Sequence, residues 1–491
     1  MSYEFSEEEH DLWQTIDLAS GRDKAEALAR LAELKLTESK YAEAETFAAE
    51  SVSLYRTVGD GHGIGEGLFL EGRALRGLKN PAQALPRFEE SAEVFRASSN
   101  QFFLSMVVSE MAQCYKDLEQ WNLAVNTFDN ATVLFASSEN WENAGLTALE
   151  SAECSLEVSD YLAAEMRSSQ GYEYLAKNEN PFFVANALSI RAKTQVGQGN
   201  YGAAIDDLTE SLHIMKYFNY LKLVAEIQTD LVWAYICNGQ LEQARSLLAE
   251  ARQIHTDGRG VPGLAECDYL EAWLAKEAGD FDSAAGLFES CRAAFRALNN
   301  KQRTFDSDYQ LALCLSFVDS YKAAKAFEGT IQRAEQSGLI LRDHKFFVDL
   351  AEVYVELAWT ESALSTLEKV DVDLLGSQGE RARMVLLRSQ VHLKQRSFIK
   401  CIDELQFVLG INALPANQET LLHARETLGR AYFGDQQYAL AIESLTPVLL
   451  ELTLADQTEE AKEIAELIQE AKHGLQTQQL ANQPQLWEED K

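Results

Sequence analysis

The residues best suited to nucleophilic, redox or metal chemistry in this 491-residue chain are seven cysteines: Cys114, Cys154, Cys237, Cys267, Cys291, Cys314 and Cys401. A disulfide framework or a zinc site needs closely spaced pairs, and this odd set contains no Cys-x-x-Cys. Cys114, Cys154 and Cys314 are separated by multiples of forty and share their register with Leu34, Ala74, Ala234 and Leu274, so they are predicted to be small core residues. Cys291 stands where Ala131 and Ala251 stand, which supports the same reading.

The eight histidines, His10, His62, His213, His255, His344, His392, His423 and His473, form no H-E-x-x-H and no His-x-x-x-His pair. Zinc therefore has no ligand pattern, and no metal or cofactor is expected. Gly61-x-Gly63 is reminiscent of a phosphate-cradling loop, but Glu66 stands where the dinucleotide fingerprint needs glycine and no strand precedes it. Residues Gly59–Gly67 are predicted to be a loop between repeats. The 77 acidic residues are too many for any one pair to signal an acid/base dyad, and no catalytic residue is predicted.

What must position these side chains is a repeat. Tyr41/Ala44, Trp121/Ala124, Tyr161/Ala164, Tyr201/Ala204, Phe281/Ala284 and Tyr321/Ala324 are all separated by multiples of 40 residues. Ala84, Ala244, Ala363, Cys401 and Ala441 complete the column, giving eleven consecutive units. A fixed period of this size is the signature of a solenoid, in which each unit buries its apolar face against its neighbours. Within a unit, apolar residues at Ala84, Phe88, Ala92 and Phe95 follow helical spacing, and Pro81 suits the first turn of that helix. Each unit thus reads as two antiparallel helices. Alanine is demanded where they cross, because close packing leaves no room for a larger side chain. Large residues four places on, such as Phe88, Phe128 and Phe288, fill the space between units.

Composition agrees. Apolar residues make up 46% and prolines number only 7, which excludes a disordered chain and favours helices. Lys and Arg total 43 against 77 Asp and Glu, a formal charge of −34 that repels phosphate backbones and anionic lipids, so neither nucleic acid nor a membrane is expected as a partner. The N-terminal MSYEFSEEEHDLWQ lacks the basic and apolar regions of a signal peptide, and a cytoplasmic setting is predicted.

Leu428-Gly429-x-x-Tyr432, Leu350-Ala351-x-x-Tyr354 and Met111-Ala112-x-x-Tyr115, each followed by an Ala-x-x-x-large step like Ala84-x-x-x-Phe88, resemble the tetratricopeptide repeat pattern. The family's usual unit is about 34 residues; the longer unit here is similar to the subgroup found in kinesin light chains, Pins-type polarity adaptors and bacterial Rap sensors. The resemblance implies an all-α, right-handed superhelix of stacked antiparallel pairs, about 24 helices in all. The expected organisation is an N-terminal capping helix within 1–24, eleven repeats over 25–456, a C-terminal cap over 457–475, and a flexible acidic tail at 476–491 containing Leu486-Trp487. No appended effector domain is expected.

In that family the first helix of each repeat lines a concave groove that takes a peptide or a partner's helix. By register, the resemblance places Trp233, Tyr269, Trp273 and Tyr309 there as aromatic anchors, and Arg73, Arg76, Lys116 and Lys193 as a cationic patch for an acidic segment. The Lys/Asn set of a two-carboxylate clamp is absent. An asparagine ladder for a peptide backbone is absent too, with only Asn186 near a suitable place. The resulting expectation is a non-enzymatic scaffold or adaptor that binds a protein or peptide. The alternatives are a peptide-sensing regulatory receptor or an acidic decoy that blocks DNA-binding proteins.

Overall fold

The computed structural model describes residues 7–177, 180–339, 344–375, 377–410 and 418–481. These form 24 α-helices and one 3-10 turn, with no strand among the described residues. The first helix, Glu7–Leu18, precedes eleven helix pairs. Those of the first six repeats are Arg22–Thr37 with Tyr41–Val58, Gly61–Gly77 with Pro81–Ala97, Gln101–Asp117 with Trp121–Ser137, Trp141–Glu157 with Tyr161–Ala176, Pro181–Gly197 with Tyr201–Tyr217, and Leu221–Cys237 with Leu241–Asp257. The remaining five are Val261–Glu277 with Phe281–Ala297, Lys301–Ser316 with Ser320–Ser337, Lys345–Glu356 with Thr360–Leu367, Gln378–Lys394 with Phe398–Gly410, and Gln418–Gly434 with Tyr438–Leu454. Helix Thr458–Ala481 closes the series. The chain divides into two compact halves, Met1–Leu270 and Glu271–Lys491.

The expected alanine column accounts for the pairing. Ala44, Ala84, Ala124, Ala164, Ala204, Ala244, Ala284, Ala324, Ala363, Cys401 and Ala441 are all 0% exposed, and Phe88, Phe128 and Phe288 beside them are equally buried. A serine in the second helix locks several pairs: Ser51, Ser91 and Ser211 donate to the carbonyls of Ala25, Gly65 and Ala185 at 2.8, 2.7 and 2.8 Å. The cysteines in phase with the repeat, Cys114, Cys154 and Cys314, are core residues. Burial pushes the thiols of Cys114 and Cys154 up to about 12 and that of Cys314 up to about 11, so none of the three is a thiolate at neutral pH.

The helices are separated by short turns that recur every twenty residues. Left-handed backbone is found at Ser39, Gly59, Lys79, Ser99, Glu119, Glu139 and Ser159, and again at Gly199, Asn219, Gly239, Arg259, Gly279 and Asn299. The next amide closes each turn back onto the helix, as Asn80 does to Leu75 (3.0 Å) and Gln120 to Tyr115 (2.9 Å). Lys79 or Glu119 in this conformation costs about 1 kcal/mol, which the packing of both flanking helices must offset. Asn100, Asn140 and Asn300 cap the following first helices by accepting from Phe103, Asn143 and Arg303 at 3.3, 3.2 and 3.0 Å.

Two expectations are corrected. Gly59–Gly67 is not a loop: only Gly59 and Asp60 lie outside the helices, and Gly61–Gly77 is helical from its first residue, capped by Asp60 accepting from Gly63. Its glycines serve close approach. A Cβ on Gly63 would lie 2.4 Å from the Tyr55 ring, one on Gly67 2.7 Å from Val52, and one on Gly72 2.6 Å from Phe88. The last helix also continues past 475 to Ala481, where Gly474 lies against the Tyr438 ring and Gln478 donates to the carbonyl of Gln436 at 3.1 Å. The rest of the expected tail, with Leu486 and Trp487, lies outside the described residues.

Helix Glu7–Leu18 is fastened by a charge pair. Lys35 Nζ lies 2.6 Å from Glu9 Oε1 and 3.0 Å from Glu38 Oε2, with the side chains of Lys35 and Glu9 only 3% and 6% exposed. Burial pulls the ammonium down, but hydrogen bonds to Glu9 and Glu38 outweigh it and hold Lys35 above its ordinary value. Replacing Lys35 by Ala leaves Glu9 a buried charge without its ammonium, an expected loss of about 2 kcal/mol. Hydrogen exchange is expected to show protection falling at least tenfold over 7–18 while Tyr41–Val58 keeps its own. Unchanged protection over 7–18 would contradict the role of the pair.

Candidate functional site

The first helices carry the residues expected to bind a partner. In the first half, Arg73 and Arg76 lie on Gly61–Gly77, Lys116 on Gln101–Asp117, Lys193 on Pro181–Gly197, Trp233 on Leu221–Cys237 and Tyr269 on Val261–Glu277. The cations do not form an uncompensated patch. Arg76 bonds Glu110 and, at 3.0 Å, Asp117; Arg73 lies 3.7 Å from Glu110 with its guanidinium over the Phe69 ring. Lys116 bonds Glu150 and Glu153 at 2.5 and 2.8 Å, and Lys193 lies 3.3 Å from Asp230. Burial lowers the Lys116 pKa, but Glu153 and Glu150 overcome it and hold the ammonium above its usual range; Asp230 raises Lys193 directly. A partner's carboxylate would have to displace one of these acids.

The aromatic residues are also engaged. Tyr269 is only 6% exposed and belongs to the core, whereas Trp233 is half-buried. In the second half, Trp273 is half-buried, meets Phe288 edge-on with centroids 6.1 Å apart, and carries the Lys276 ammonium 4.2 Å above its ring. Tyr309 packs against Phe305, Phe327 and Phe346, and its hydroxyl donates to Asp349.

The first half also holds a cleft of about 110 Å³ lined by helices Pro181–Gly197 and Leu221–Cys237 and by Met215. Asn186, Lys193, Glu226 and Asp230 supply its polar lining, and Phe182, Leu223 and Ile227 its apolar lining. Its Phe182 continues into an aromatic edge: the Phe182 and Tyr220 rings are 5.8 Å apart, Phe218 and Tyr220 6.3 Å, and Tyr217 and Phe218 5.1 Å. Tyr217 is 80% exposed, Phe218 44%, Tyr220 46% and Leu221 56%. Exposed neighbouring aromatics beside a polar cleft are the features of an interface core.

No protein-family model matches the chain, and no curated protein is similar to it in sequence. Solved structures are similar in fold. The apo form of the quorum sensor NprR from B. thuringiensis superposes with a TM-score of 0.52 at 15% identity, over 66% of this chain and 91% of that one. The fold is that of a tetratricopeptide-type solenoid. A Rap protein complexed with competence and sporulation factor gives 0.47 at 12% identity, over 67% of this chain and 92% of that one. A kinesin light chain with nearly identical TPR-like repeats from Podosopora anserina gives 0.33 at 20% identity, over 38% and 92%.

Within the tetratricopeptide solenoid the aromatic edge is the feature that reading by column misses, because it lies in a turn and not on a first helix. A signal was present in the sequence. Other turns at this phase read Ser98-Ser99-Asn100 or Ser138-Glu139-Asn140, whereas this one reads Phe218-Asn219-Tyr220 after Tyr217. Among the described residues, no group of three or more His, Cys, Asp and Glu side chains is arranged to hold a metal ion, and no helix is long and apolar enough to cross a membrane.

Proposed function

We propose that this chain is a non-enzymatic interaction scaffold that works in the cytoplasm and takes a protein or peptide partner at repeats five and six. The observation that carries this reading is the continuity of the Asn186/Lys193/Asp230 cleft with the exposed rings of Tyr217, Phe218 and Tyr220. The cleft offers amide and charged groups to a segment's backbone and side chains, and the edge offers apolar area for anchoring. Trp233, one helical turn beyond Asp230, extends the same face. Tyr269, Trp273, Tyr309, Arg73, Arg76 and Lys116 belong to the proposal only as flanking first-helix residues. The likeness to NprR, named as a quorum sensor, is one of fold; a peptide ligand would use the same cleft.

Truncating a buried aromatic anchor typically costs about 2 kcal/mol of binding. Purification of bound proteins with the unaltered chain and with a Tyr217→Ser/Tyr220→Ser variant, both checked for intact helicity, is expected to show the same partner reduced more than tenfold by the substitutions. Equal recovery from both chains would remove this edge from the interface.

A further inference from the structure

The second half contains a larger cleft that the preceding reading does not use. It encloses about 290 Å³ among the end of helix Phe281–Ala297, the start of Lys301–Ser316 and the end of Ser320–Ser337. Three cations line it, Arg296, Lys301 and Arg333, against a single carboxylate, Asp308. Asp308 is 2% exposed and already committed: Arg333 grips it through Nε and Nη2 at 2.8 and 2.9 Å, and Arg292 approaches at 3.3 Å. Arg296 and Lys301 are exposed, and among the described residues neither has a carboxylate within ion-pairing distance. The Lys301 ammonium donates to the carbonyl of Ser337 at 2.8 Å, which fixes it at the rim and leaves two of its protons free. Phe305 adds an aromatic face to the wall, and Thr304, whose hydroxyl donates to the carbonyl of Asn300 at 2.6 Å, lies beside it.

In a chain of charge −34 this local positive excess runs against the average surface. The cations first expected to bind a partner, by contrast, are neutralised by acids, as at Arg76 and Lys116. We infer that this cleft is a second binding site, for an acidic segment of a partner protein, with Arg296 and Lys301 each receiving a carboxylate and Phe305 receiving an apolar neighbour. Arg333 is a positioning residue, because its guanidinium is bidentate to Asp308 and unavailable to a ligand. Two separate cations on either side of a turn suit two separate carboxylates better than one compact phosphate, which would also face the Asp308 charge on the cleft floor.

The test uses the full chain and a capped peptide of three consecutive glutamates followed by phenylalanine, titrated calorimetrically at low salt. The glutamine analogue of the peptide and inorganic phosphate serve as comparisons. The acidic peptide is expected to bind at least tenfold more tightly than its glutamine analogue, to weaken as salt rises, and to lose at least tenfold in affinity in Arg296→Ala/Lys301→Ala. Both positions are exposed, and unchanged helicity of that variant confirms that the loss is local. Binding unchanged by the double substitution, or no preference over the glutamine peptide, would overturn the site. Displacement by an equal concentration of phosphate would overturn the carboxylate assignment. Loss of binding in the unrelated Tyr217→Ser/Tyr220→Ser variant would show that the peptide sits at repeats five and six instead.

Discussion

Ala84→Leu is expected to destabilise the first half by about 3 kcal/mol, whereas the adjacent Leu85→Ala should cost less than about 1 kcal/mol. Ala84 is 0% exposed where two helices cross, with Phe88 equally buried one turn on. Three added carbons have no route to solvent, so the pair must separate or its neighbours must leave their rotamers. Leu85 is only partly buried, and trimming it leaves a dent in the surface and no sealed cavity. Urea midpoints read with unchanged m-values check the order. A larger loss for Leu85→Ala would mean that the alanine column does not set the helix crossing.

Asp349→Ala is expected to cost about 3 kcal/mol in the second half. Asp349 is 4% exposed and accepts both the Tyr309 hydroxyl and Arg383, the latter at 2.6 Å. Arg383 keeps Glu352, and its Nη1 keeps Glu380 at 3.3 Å, but that nitrogen loses its shorter, buried bond to Asp349 and the Tyr309 hydroxyl loses its Asp349 acceptor. Asp349→Asn retains an acceptor and should cost about 1 kcal/mol less, in keeping with charged hydrogen bonds exceeding neutral ones by about that amount. Lys116→Ala provides the contrast. Its partners Glu150 and Glu153 have side chains 33% and 44% exposed, so screening should limit the loss to below about 1 kcal/mol. Thermal midpoints of the three variants check the ranking; equal losses for Asp349→Ala and Lys116→Ala would contradict it.

Much of the fold was legible because the forces that set it act locally and repeat. Ala44 through Ala441 mark every crossing, and Asn100, Asn140 and Asn300 mark helix starts by their capping chemistry. The first turns of the Gly61–Gly77 helix were not legible, since glycine disfavours helices by about 1 kcal/mol per residue and only the nearness of Tyr55 to Gly63 and of Val52 to Gly67 reveals why it is tolerated. The cations were legible as columns but their neutralisation was not. Arg76 to Glu110 and Lys116 to Glu150 span 34 residues, and Asp349 to Arg383 spans the same step with the charges exchanged. Choosing those acids among 77 requires the phase between neighbouring first helices. Tyr269, expected as a groove anchor, is 6% exposed: column position fixes the helix face but not the depth of burial.

The most direct measurement is photocrosslinking from defined positions. A benzophenone-bearing residue is placed at Tyr220, on the aromatic edge, and separately at Val133, which is 65% exposed on the second helix of repeat three. A scaffold that grips its partner at repeats five and six predicts a discrete adduct from position 220 and none from 133, with the 220 adduct lost when Lys193→Ala and Trp233→Ala are added. Adducts of equal yield from both positions, or an adduct at 133 alone, would contradict the proposed site.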